Sequence, residues 1–95
     1  MTRVSFIVPA YNEAATIADV LERVEALDLD KQVVVVDDGS TDDTPRVLEE
    51  WANRDGVRIV RPENRGKCAA IRAAIPLLDG DIAVIQDADM EYDPA

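Results

Sequence analysis

The 95-residue chain carries twenty acidic side chains against ten basic ones, for a formal charge of −10, and 47% of it is hydrophobic. That composition suits one small globular domain and excludes two. The acidic balance argues against a nucleic-acid backbone as partner, and a single cysteine with no histidine excludes an internal disulfide and a Cys/His zinc site.

The first strand-like run is Val4–Val8. Met1 leads into it with no apolar signal region, so a cytoplasmic location is expected, and the lone Cys68 fits a reducing compartment. Ala14, Ile17, Ala18, Leu21, Val24 and Leu27 then recur at helical spacing. Gln32–Val36 is the second strand. Its four consecutive valines are the longest aliphatic run, far short of the roughly 20 residues of a membrane span. A polar stretch from Ser40 to Thr44 supplies helix-cap residue types, and Pro45 suits a first helical turn. The helix it opens, Pro45–Ala52, places Val47, Leu48, Trp51 and Ala52 on one stripe.

Val57–Val60 is the third strand. Lys67–Leu78 is Ala-rich and apolar almost all round, which predicts a buried helix that ends or kinks at Pro76. Cys68 is expected to pack within it as a small hydrophobe. Ile82–Ile85 is the fourth strand.

The order βαβαβαβ, with mostly continuous apolar strands, predicts a parallel sheet with right-handed crossovers. The expected strand order is 3-2-1-4, half of a doubly wound α/β fold with helices on both faces. Strand 4 is then an apolar edge. From that we expect either a larger parent protein of which 1–95 is one truncated domain, or a homodimer through strand 4.

Ligands of such sheets bind beyond the carboxyl ends of the strands, at the switch point. Strand 1 is followed by Pro9-Ala10-Tyr11-Asn12-Glu13, which has no glycine and so weakens a dinucleotide reading. Tyr11 and Asn12 can stack on and hydrogen-bond a base or ribose, although a helix cap by Asn12 and Glu13 is the simpler reading. Asp37 and Asp38 follow strand 2, and adjacent carboxylates there need hydrogen bonds or a cation. Asp42, Asp43 and Thr44 read as turn and cap. Arg65, Gly66 and Lys67 open the third helix and can meet an anion, although an ordinary turn at Gly66 is the simpler reading. Asp87, Asp89 and Glu91 follow strand 4, a hard-oxygen set suited to Mg²⁺ or Mn²⁺ unless it is a solvated acidic loop. Acidic and basic groups thus converge on one edge, which suggests a metal-bridged nucleotide diphosphate.

Ile7-Val8-Pro9-Ala10-Tyr11-Asn12-Glu13, Val35 through Asp42, Asn64-Arg65-Gly66-Lys67 and Asp87-Ala88-Asp89 together resemble family 2 glycosyltransferases of the GT-A fold. The tail from Gln86 to Pro94 is most similar to their polyprenyl-phosphate branch, typified by dolichol-phosphate mannose synthase. The resemblance implies an inverting, metal-dependent transfer of a sugar from a GDP- or UDP-sugar to an acceptor such as a polyprenyl phosphate at a membrane surface. It implies a nucleotide site made by Pro9, Ala10, Tyr11, Glu13, Asp37, Asp38, Lys67, Asp87 and Ala88. A divalent cation, Mg²⁺ or Mn²⁺, is implied at Asp87, Asp89 and Glu91. Position 68 departs from the family's Gly-Lys-Gly pattern, because Cys68 replaces the second glycine. The acceptor half of such enzymes has no counterpart in these motifs. Three other readings compete: a nucleotidyltransferase, which lacks its basic Gly-rich loop here; a receiver module, whose acids follow other strands; and a non-catalytic fragment or binding module that dimerises through its edge strand.

Overall fold

The computed structural model describes residues 2–62 and 66–87. Its elements in chain order are β1 (Val4–Ala10), α1 (Ile17–Glu25), β2 (Lys31–Asp37), α2 (Thr44–Glu49), β3 (Val57–Val60), α3 (Lys67–Ala74) and β4 (Ile82–Ile85). All pairings are parallel, in the order β3-β2-β1-β4, as the alternation of apolar runs and helices predicts.

Strand alternation divides the core between the two faces. Phe6, Val8, Val33 and Val35 meet Ile17, Val20, Leu21 and Val24 of α1, with Leu48 and Trp51. Ile7, Val34 and Val36 point the other way, onto Ala70 and Ala74 of α3. Both faces of β1 and β2 are therefore dry, which is why their sequences run continuously apolar. The first two helices cover one face and the third covers the other, so helices lie on both faces as expected. β4 is poorly covered: Ile82 and Ile85 remain 50% and 51% exposed.

Three expectations are corrected. α1 begins at Ile17 rather than Ala14, because residues 13–16 form a turn in which Thr16 and Ile17 donate to the Glu13 carbonyl. Leu27 lies beyond the helix and is exposed. α3 is not buried all round, since only Ala70 and Ala74 are sealed against the sheet and Cys68, Arg72 and Ala73 face solvent. Alanines give that helix an apolar composition with little area to bury, so composition overstated its burial. The break at Pro76 is as anticipated: α3 ends at Ala74 and passes into a 3₁₀ turn over Ile75–Leu77.

The amino ends of the strands are tied by polar groups. Ser5 Oγ donates to Gln32 Oε1 at 2.8 Å and accepts the Gly80 N–H at 2.9 Å, and Gln32 Nε2 donates to the Leu77 carbonyl at 2.8 Å. Arg3 reaches Asp30 at 2.6 Å and Asp79 at 2.7 Å. These contacts fix the α3–β4 connection, so β4 enters the sheet beside β1 and delivers Asp87 to the carboxyl edge.

Candidate functional site

At that edge β1 and β2 end level, with Ala10 opposite Asp37, and the Asp38 N–H donates to the Ala10 carbonyl at 2.8 Å. Pro9 and Ala10 are buried within β1, and Tyr11 emerges from it 47% exposed. An aromatic ring thus stands free at the mouth of the sheet, beside two acids that are not free. Asp37 is 1% and Asp38 5% exposed. Buried carboxylates demand hydrogen bonds or a cation. Asp37 Oδ1 accepts the Ser40 N–H at 3.1 Å, and Asp38 Oδ2 accepts the Gly66 N–H at 3.0 Å. Asp37 Oδ2 is buried without a hydrogen bond. Arg61 Nε lies 3.5 Å from it, at ion-pair distance but outside hydrogen-bond geometry. Arg61 follows the last residue of β3, and Val60 is registered opposite Val36, so the pair spans adjacent strand ends.

Asn12 does not cap α1. Its backbone is left-handed, with φ 52°, a conformation that asparagine tolerates better than most residues. Its Oδ1 accepts the N–H groups of Thr41 at 2.8 Å and Asp42 at 3.2 Å, and its own N–H donates to Ser40 Oγ at 2.9 Å. Next in the chain, the Glu13 N–H donates to Thr44 Oγ1 at 2.9 Å and the Ala14 N–H to Asp42 Oδ2 at 3.3 Å. Asp42 Oδ1 also accepts from the Thr44 N–H at 2.8 Å and the Thr44 hydroxyl at 2.5 Å, which ties down the first residue of α2 from one position before the N-cap Asp43, whose own side chain makes no capping hydrogen bond. Desolvation raises the Asp42 pKa, but these hydrogen bonds together outweigh it and hold the carboxyl below its ordinary range.

The loop into α3 is set by Gly66, whose φ of 94° and ψ of 166° suit only glycine. This conformation aims the Gly66 N–H at Asp38. Arg65, Ala88, Asp89 and Glu91 lie outside the described residues, and for Lys67 only its place at the first position of α3 is described. Asp87 is exposed just past β4, where the Gln86 N–H donates to the Ile7 carbonyl at 2.9 Å. Among the described residues no three acidic or cysteine side chains gather as a cation site. The available donors at this edge are carboxylate oxygens, which fit a hard divalent cation.

The structure therefore brings Pro9, Ala10, Tyr11, Glu13, Asp37 and Asp38 together, with Asp87 across β1. Sequence reasoning missed Arg61, the bracing role of Asn12, and Gly66 as the partner of Asp38. Arg61 and Gly66 gave no local signal, since each meets its partner only through the fold. Asn12 gave one, its tolerance of left-handed backbone. A cavity of about 480 Å³ lies at the opposite, amino end of the sheet, between Leu21, Trp51, Arg54 and Val57. Arg54 stacks 3.9 Å from the Trp51 ring centroid and pairs with Glu25 at 2.7 Å, so its charges are mutually satisfied.

A doubly wound half-sheet with an aromatic loop, paired acids and a further acid at its carboxyl edge has the layout of an α/β domain that binds its ligand beyond the strand ends. The model of "Glycosyl transferase family 2" matches residues 5–95, and the chain belongs to that enzyme family. It is 39% identical, over 96% of its length and 29% of the relative's, to an undecaprenyl-phosphate 4-deoxy-4-formamido-L-arabinose transferase of Pseudomonas aeruginosa. Among solved structures it is similar to a mannosyltransferase from Pyrobaculum calidifontis in complex with GDP-Man and Mn²⁺. That match has a TM-score of 0.85 and 40% identity, covering 93% of this chain and 28% of the other. Glucosyl-3-phosphoglycerate synthase from Mycobacterium tuberculosis, in complex with Mn²⁺ and UDP, matches with a TM-score of 0.76 and 33% identity. Here 93% of this chain and 34% of the other are covered. The chain thus spans about a third or less of the proteins it matches.

Proposed function

We propose that this chain is the donor-binding portion of an inverting, metal-dependent glycosyltransferase that uses a nucleotide-diphosphate sugar and a polyprenyl phosphate acceptor. The observation that carries the reading is the pair of buried acids ending β2 beside the exposed Tyr11. Tyr11 offers a face on which the base stacks. Asp38 accepts a base N–H, a contact strengthened by the charge of the acceptor. Pro9, Ala10 and Glu13 wall the nucleoside pocket, and Lys67 at the start of α3 meets the diphosphate. Asp87 and the next residue in sequence, Ala88, are assigned to the diphosphate. Asp87, Asp89 and Glu91 hold the cation, Mg²⁺ or Mn²⁺, and hard carboxylate oxygens suit either.

The chemistry such a cation supplies is neutralisation of the charge on the departing nucleoside diphosphate. The acceptor phosphate is already anionic and attacks the sugar carbon from the face opposite the leaving group, so no general base is required of this half. The relative acting on undecaprenyl phosphate supports the acceptor class, and the neighbours' complexes with GDP-Man and UDP support the donor class. Among the described residues no helix is long and apolar enough to cross a membrane. Separately, the reading includes access to the acceptor from the cytoplasmic face of the bilayer.

The test is calorimetric titration of GDP and UDP with and without Mn²⁺. Binding of one nucleotide that depends on Mn²⁺, and is lost in Asp87→Ala, is the expected result. A folded chain that binds neither nucleotide, or binds one equally without metal, overturns the reading.

A further inference from the structure

We infer that Asn12 is a positioning residue: it welds the β1–α1 loop to the β2–α2 loop and so presets the gap between Tyr11 and the Asp37–Asp38 pair that receives the nucleoside. The inference rests on the donor-site reading and extends it to a residue whose side-chain oxygen is taken up by the second loop. Parallel strands leave their carboxyl-end loops unconnected, because ladder hydrogen bonds stop where the strands stop. Here the ladder ends with the Asp38 N–H on the Ala10 carbonyl. Beyond it, the registry of the two loops is carried by side chains, and most of those contacts converge on one residue. Asn12 Oδ1 takes two consecutive backbone N–H groups, those of Thr41 and Asp42, and also lies 3.4 Å from the Thr41 hydroxyl. The Asn12 N–H goes to Ser40 Oγ, and the Ser40 N–H goes to Asp37 Oδ1. A continuous relay therefore runs from the residue following Tyr11 to the buried carboxylate of Asp37.

The left-handed φ of 52° is what turns both the Asn12 N–H and its side chain toward the second loop. Glycine would keep that backbone shape and lose the acceptor, alanine would lose both, and aspartate would keep acceptor oxygens and tolerate the conformation. Thr44 and Asp42 add contacts to Glu13 and Ala14, but these lie on the α1 side of the turn. Asn12 and the last ladder bond join Tyr11 to the acids. A nucleoside bridging Tyr11 and Asp38 would otherwise have to order both loops on binding, at the cost of affinity.

The test compares Asn12→Gly, Asn12→Asp and the unaltered chain by amide hydrogen exchange and by GDP and UDP titration in Mn²⁺. In Asn12→Gly, the β1 and β2 amides should stay protected while the Thr41 and Asp42 amides exchange faster. Nucleotide affinity should fall about tenfold, the scale of one or two net hydrogen bonds. Asn12→Asp should restore both readouts to near the unaltered values, a rescue that a generic loss of stability would not show. Unchanged exchange at Thr41 and Asp42 in Asn12→Gly overturns the brace. Faster exchange with undiminished affinity overturns its role in positioning. If the unaltered chain binds neither nucleotide while its Thr41 and Asp42 amides are protected, the donor reading and the positioning role fall together. The exchange comparison alone then decides whether the brace exists.

Discussion

Asp38 Oδ2 and the Gly66 N–H meet at 3.0 Å although 28 positions separate them in sequence. One oxygen of the acid that follows the second strand thereby holds the residue that opens the third helix. The same carboxylate is asked to accept from a base, so structure and binding share a single side chain.

Asp38→Ala should therefore fail in two measurements. Loss of the acceptor leaves the Gly66 N–H unsatisfied, and about 1–3 kcal/mol of stability should go with it. Nucleotide affinity should fall at least tenfold. Asp38→Asn retains an acceptor oxygen and should recover most of the stability in urea unfolding while staying weak in nucleotide titration.

Gly66→Ala isolates the backbone at the same point. A Cβ there meets nothing within 4 Å, so sterics with neighbours contribute nothing. The φ of 94° with ψ of 166° is the whole cost, about 1–3 kcal/mol, and urea unfolding should show it.

Gly80→Ala should be destabilising for the opposite reason. An added Cβ would lie 2.5 Å from Ser5 Oγ and 2.8 Å from both the Arg3 carbonyl oxygen and the Ser5 nitrogen. Two of those atoms are backbone, so truncating Ser5 as well should not rescue the variant. A loss of about 1–3 kcal/mol is expected, read as a lower urea midpoint in both the single and the double variant.

Asp42 predicts a pH dependence. Its carboxyl titrates below the ordinary range in the folded chain, so the folded state binds that proton less readily than the unfolded chain does. The stability it contributes is complete above the unfolded value, about pH 4, and is lost as pH falls through the folded one. Asp42→Asn should be less stable at neutral pH and should converge on the unaltered chain in acid. Thermal unfolding of both across pH 2 to 7 checks the sign, with other carboxylates common to the pair.

Much of the fold was legible because burial on both faces of β1 and β2 writes itself as continuous valine and isoleucine, with helical spacing between. The order of the strands followed from connection rules alone. Helix ends were less legible: Asn12 carries a cap residue's side chain, yet the fold uses it across loops. Alanine made α3 look more buried than it is. At the candidate site, Tyr11, Asp37 and Asp38 stood out by following strand ends, but their partners did not. Arg61 meets Asp37, and Gly66 meets Asp38, only because β3 lies beside β2. Such pairs leave no mark on the local sequence of either partner.

The placement of β4 has a kinetic consequence. β1 meets β2 across residues about 27 positions apart, but the Arg3 N–H meets Asp81 across 78. Chain closure over the longer span is entropically dearer and slower, so the β1–β2–β3 layer with α1 and α2 should assemble first. β4 then docks last onto a central strand that has waited with one side open. It also buries the least apolar surface, with Ile82 and Ile85 about half exposed. The last strand to arrive should be the first to leave. Asp87, which rides on its end, would then be the part of the candidate site most often out of register with the rest.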